Sequence, residues 1–171
     1  KVTWEVTATV AGTNGGIPTV TKTLVGHVDN SAYTNVTVDI QASYTVPAQA
    51  TKPLPIMIEF GFGGFGRRPG PPSEPSWHEQ AITNGWAYGS ITPTSIQPDN
   101  NKLTTGIIGL ANKGQPRKPD DWGALRAWQW GVSRMIDYFE TNSTSMVDAK
   151  KVGIEGLSRY GKAALVTEAF E

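Results

Sequence analysis

The chain contains no cysteine, which excludes a disulfide framework, a thiolate metal site and a cysteine nucleophile in one step. It has no excess of either charge. Fifteen basic and 15 acidic residues give a formal net charge of zero, and no block of like charge interrupts the sequence. An electrostatic footprint for nucleic acid or for an anionic membrane surface is therefore missing, and neither is expected as a partner. Long apolar runs are missing too: the longest, Leu54 to Phe60, is broken by Pro55 and Glu59 and falls far short of a membrane span. A soluble chain is expected. No methionine precedes Lys1 and no charged-then-apolar leader opens the sequence, which therefore reads as a processed product or a piece of something longer. Histidine is scarce, with only His27 and His78, and there is no internal repeat.

What is present suits an ordinary globular domain. The 171 residues, 38% of them hydrophobic, are enough for one sizeable core, so a single domain over 1–171 is expected. Apolar and polar residues alternate from Lys1 to Val10 and from Thr34 to Val46, the period of half-buried antiparallel strands, with a turn signal at Asn14-Gly15-Gly16. The character changes near residue 53. Residues 1–52 read as leading antiparallel strands, and 53–171 as an alternating strand and helix core that implies a parallel sheet with helices on its faces. The core starts with a buried strand, Ile56 to Phe60, and then a glycine-rich loop. A short helix over Glu74 to Asn84 is stopped by Gly85, and the strand Trp86 to Ile91 follows. Pro93 to Pro119 shows no regular element and reads as a loop serving a site, with Gly114 to Pro119 as its rim. The clearest helix is capped by Asp120 or Asp121 and repeats Leu125, Trp128, Val132, Met135, Ile136 and Phe139 on one face. A strand over Lys151 to Glu155 closes the series.

That strand runs straight into Gly156-Leu157-Ser158-Arg159-Tyr160-Gly161-Lys162, and Ala163 to Val166 continue as a helix. A serine hydroxyl becomes a useful nucleophile only when its Oγ projects clear of the backbone and a base removes its proton. A tight strand-to-helix turn meets the first need, and Gly156 fits the first glycine of the G-x-S-x-G elbow. The second does not fit, because Tyr160 holds that place and Gly161 comes one residue late. Ser158 is the candidate nucleophile. The helix after it points its positive end at the place where an oxyanion would form, and Arg159 adds a fixed charge there. A surface arginine that merely follows a turn explains Arg159 equally well. Gly61-Phe62-Gly63-Gly64 stands where a second oxyanion donor is often found, and a plain turn explains it almost as well. Both histidines precede Ser158, against the serine, acid, histidine order of this elbow type, and both read as structural or solvated. Glu168 and Glu171 lie on the outgoing helix, poorly placed to reach a base. The triad acid and histidine are not supplied by these residues.

The off-pattern elbow resembles the G-x-S-R-x-G-K signature of the glucuronoyl esterases, the carbohydrate esterases that cut lignin from xylan. Gly106 to Gly109 and Lys118 to Trp128 are similar to the bacterial members of that family, and the resemblance is strong over 86–171. It implies an α/β-hydrolase fold, a three-layer sandwich with a mixed, mostly parallel sheet, of which only the N-terminal half up to the elbow would be present. It also implies a serine esterase acting through an acyl-enzyme on the ester between 4-O-methyl-glucuronate of glucuronoxylan and lignin alcohols. Ser158 would attack, Arg159 would stabilise the oxyanion and Lys162 would hydrogen-bond the sugar hydroxyls, with no metal or cofactor. The C-terminal half of the same domain would carry the acid and histidine, and a cell-wall substrate implies a secreted enzyme. The sequons at Asn35 and Asn142 are compatible with export. Two alternatives remain open: another polysaccharide serine esterase of the acetyl xylan type, and a non-catalytic fragment.

Overall fold

The computed structural model describes residues 1–61 and 74–171. Its first element is a long hairpin. Strands β1 (Val2–Asn14) and β2 (Ile17–Val28) pair antiparallel, and Gly15 and Gly16 turn the chain with φ of 55° and 77°. Two successive positive φ values make the hairpin turn whose twist matches its strands, and glycine takes them without steric cost. The second expected strand is β3 (Asp39–Pro47), which begins later than Thr34 and pairs antiparallel with β2. Strand β2 itself was not expected. Its buried positions, Leu24, Gly26 and Val28, alternate in the structure, but Lys22 and a side-chain-less glycine interrupt the apolar pattern in the sequence.

Beyond residue 53 the chain alternates. Strand β4 (Leu54–Phe60) buries Leu54, Ile56, Ile58 and Phe60. Helix α1 (Trp77–Thr83) follows, then β5 (Ala87–Ile91). Two short helices, α2 (Pro93–Ile96) and α3 (Gly106–Ala111), occupy the stretch expected to be irregular. Helix α4 (Ala124–Thr141), strand β6 (Val147–Glu155) and helix α5 (Arg159–Phe170) complete the chain. The α4 cap is a correction: Gly123 holds the N-cap, while the Asp121 carboxylate accepts from the Lys118 amide at 2.7 Å and closes the preceding loop.

The six strands form one sheet in the order β1-β2-β3-β5-β4-β6, with β4 parallel to both β5 and β6 and the other pairings antiparallel. Side-chain contacts place the helices on two faces. His78 of α1 packs on Tyr88 of β5, whereas a Cβ on the neighbouring Gly89 would touch Met135 of α4. The fully buried Trp128, Tyr44, Ile56, Ile58 and Met135 build the main core on the α4 side. Strands β4 and β6 are adjacent, yet the helices that follow them lie on opposite faces, because α5 packs with α4. Such a divergence opens a crevice at the carboxyl ends of the two strands, where ligands of open α/β sheets bind.

Candidate active site

The elbow stands at that crevice. Leaving β6 at Glu155, the chain passes Gly156 and Leu157 and enters α5 at Arg159, with Ser158 at φ 59° and ψ −121°. A non-glycine residue rarely adopts such a backbone, and it persists only where the surroundings dictate it. Here they do. A Cβ on Gly156 would lie 2.5 Å from the Tyr160 carbonyl oxygen, and one on Gly161 would lie 3.0 Å from the Gly156 carbonyl oxygen. The incoming strand and the first turn of the helix therefore press together, and the second small residue belongs at 161. Tyr160 cannot be small, since its buried ring packs edge-on to Trp128 at 5.0 Å and stacks with Phe60 at 6.3 Å. The late glycine follows from this geometry. Ser158 is exposed, and its side chain makes no capping hydrogen bond to α5, although it occupies the N-cap.

Arg159 and Lys162 project from the first turn of α5, and both are exposed. The Lys162 amide donates to the Ser158 carbonyl at 3.2 Å, which sets Lys162 one turn beyond the serine. Arg159 Nη1 donates to Asp99 Oδ2 at 2.6 Å. Asp99 lies between α2 and α3, and nothing in the sequence marks it. Of the expected second donor, Gly61 directly follows β4 and its amide donates to the Ile91 carbonyl, while 62–64 lie outside the described residues.

Neither histidine is joined to Ser158. His27 sits on β2 between Asp39 of β3, at 2.8 Å, and Glu5 of β1, at 3.3 Å; the Asp39 hydrogen bond above all raises its pKa. His78 stacks on Trp77 and Tyr88 and lies 3.5 Å from Glu59. Glu59 in turn faces Glu155 across the β4–β6 ladder, and burial, reinforced by the Glu59 charge, pushes the Glu155 pKa up. Glu155 also lines a cleft of about 510 Å³ between α1 and β6, with Met57, Trp77 and Trp86. Glu171 accepts from Gln129 and Ser133 of α4, so it serves packing. Among the described residues no group of three or more His, Asp or Glu side chains is arranged to hold a metal ion.

Comparison with known proteins supplies what this geometry leaves open. The family described as glucuronyl esterase, fungi, matches residues 116–171. The 4-O-methyl-glucuronoyl methylesterase of Hypocrea jecorina is 31% identical over 140 residues, 78% of this chain and 25% of that protein. A CE15 glucuronoyl esterase from Teredinibacter turnerae superposes with a TM-score of 0.83 at 31% identity, over 99% of this chain and 43% of that one. The chain is thus similar to the glucuronoyl esterases in sequence and in fold. A glucuronoyl esterase from Solibacter usitatus, at 29% identity and a TM-score of 0.79, covers 100% of this chain, which spans 49% of that structure. The chain thus spans less than half the length of these relatives. The α/β-hydrolase fold expected from the elbow is the fold found. Sequence reasoning missed Asp99, the packing of Tyr160 and the grouping of Glu59, Glu155 and His78. All three depend on contacts between distant segments.

Proposed function

We propose that the protein is a serine esterase that hydrolyses the ester between 4-O-methyl-glucuronate of glucuronoxylan and lignin alcohols. The observation that carries this is the backbone of Ser158, which holds an exposed hydroxyl on a strained turn between β6 and α5. In the proposed reaction Oγ attacks the ester carbonyl carbon, and a histidine outside the matched stretch takes its proton and passes it to the departing alkoxide. Water then hydrolyses the acyl-enzyme. The negative charge on the tetrahedral oxygen falls at the positive end of α5, where Arg159 adds its own charge; one such donor contributes roughly 3 kcal/mol to the transition state. Lys162, one turn on, is proposed to hold the sugar hydroxyls. No step calls for a metal. Because the substrate is insoluble cell wall, the enzyme is proposed to be exported.

The test uses the full-length gene product on a benzyl ester of glucuronate and, separately, on acetylated xylan. Turnover of the glucuronate ester is expected, with a loss of roughly four orders of magnitude or more in Ser158→Ala and a raised KM in Lys162→Ala. Turnover of acetylated xylan without any of the glucuronate ester would overturn the proposal.

A further inference from the structure

Asp99 is held more firmly than an exposed loop residue needs to be. Two positions before it, Gln97 is fully buried, its main-chain oxygen accepts from Trp128 Nε1 at 2.9 Å, and its side-chain oxygen accepts from the Ile108 amide at 3.1 Å. Gly106 closes on the same turn with φ of 63°, where a Cβ would lie 2.8 Å or less from Gln97, Ile96 and Pro98. Pro98 then fixes the backbone directly before Asp99. Trp128 therefore binds the loop through its indole N–H and the elbow through its ring, which packs edge-on to Tyr160 at 5.0 Å. One buried side chain sets Asp99 and Arg159 in a common frame.

Among the described residues Arg159 has no such buried framework around its side chain. Its side chain is 59% exposed and long, and its 2.6 Å contact with Asp99 selects one orientation. We propose that Asp99 is a positioning residue that holds the Arg159 guanidinium by one Nη, leaving its other N–H groups aimed over the elbow toward the oxyanion. This rests on the role proposed for Arg159 above. A partly exposed ion pair of this kind adds little to stability. Its effect belongs in kcat, since a poorly oriented donor weakens the transition state more than substrate binding.

The test is a double-mutant cycle in the full-length gene product, read as kcat and KM on the benzyl glucuronate ester. Asp99→Ala is expected to lower kcat by roughly ten- to a hundredfold with KM little changed, Asp99→Asn to lose less, and Asp99→Ala to cost nothing further in an Arg159→Ala background. The near-isosteric Asp99→Asn carries the test if Asp99→Ala fails to fold. An Asp99→Ala kcat equal to wild type, or an equal fall with Arg159 already removed, overturns the positioning role alone. An unchanged kcat in Arg159→Ala overturns the reading of Arg159 itself and the positioning role with it.

Discussion

Glu155 ends β6 one residue before the elbow, half-buried, with Glu59 opposite it in the ladder and His78 beyond. Burial is the main reason its pKa is raised, the Glu59 charge adds to this, and His78 works against both. The sign follows from linkage: a carboxyl group with a folded pKa above its unfolded one binds its proton more tightly in the native state. Stability therefore falls as pH rises from the ordinary carboxylate range through the raised value, and the penalty is complete only above that value. Glu155→Gln removes the charge and keeps the shape, so the variant is expected to melt higher than wild type at pH 7.5, with the gap closing near pH 4. Thermal melts across that interval check it, and a gap that does not vary with pH would refute it. At this scale the sequence is readable only where neighbours along the chain act together. Ser158, Arg159 and Lys162 lie within one turn of each other and announce themselves; Asp99 meets Arg159 from 60 positions away and leaves no local mark.

Elements were legible in proportion to their length and their caps. Helix α4 repeats apolar residues over 18 positions, and the structure buries Trp128, Val132, Met135 and Phe139 of the expected face. Helices α2 and α3 span 4 and 6 residues and begin without a side-chain cap, so periodicity had nothing to work on. Pro93 at the start of α2 was the one available signal. Helix α1 is also short, but a reciprocal pair holds it: Ser76 accepts from the Glu79 amide at 3.1 Å, and the Ser76 amide donates to the Glu79 carboxylate at 2.6 Å. With one buried residue, Ile82, the helix leans heavily on this box. Ser76→Ala is expected to cost about 1 kcal/mol in urea unfolding, with amide exchange in 77–83 accelerated more than in α4. Equal acceleration in both helices would show that the cap acts on the whole fold and not on α1.

At the scale of the molecule, a long hairpin joins the α/β core through the β2–β3 ladder, and β1 adds side-chain attachments at its two ends. Much of β1 is exposed, but Trp4 packs on Tyr138 at 5.8 Å and donates its indole N–H to the Arg134 carbonyl of α4 at 3.1 Å. Gly26 leaves room for that ring, since a Cβ there would lie 2.9 Å from it. At the other end, the Asn14 side-chain amide donates to the Tyr88 hydroxyl at 3.2 Å. Trp4→Phe keeps an aromatic ring and removes the hydrogen bond, so a loss of about 1 kcal/mol is expected in equilibrium unfolding. The alternation within the hairpin was partly visible in the sequence, but its attachment was not, because the partners of Trp4 lie 130 positions away.

The position of β4 has a kinetic consequence. One of its neighbours, β5, arrives through a connection whose described residues hold one short helix, α1, whereas the other, β6, arrives only after α2, α3 and α4 have been made. During synthesis one edge of Ile56-Met57-Ile58 therefore waits open while that long insertion forms, and pairings so distant in sequence close slowly. Glu59 places a charge at this edge, which discourages pairing with another chain. The backbone of Ser158 can be held in its unusual conformation only once β6 has docked. The elbow is thus assembled when β6 closes on β4, and a nascent chain stalled short of that pairing carries β1 to β5 without the geometry that exposes the Ser158 hydroxyl.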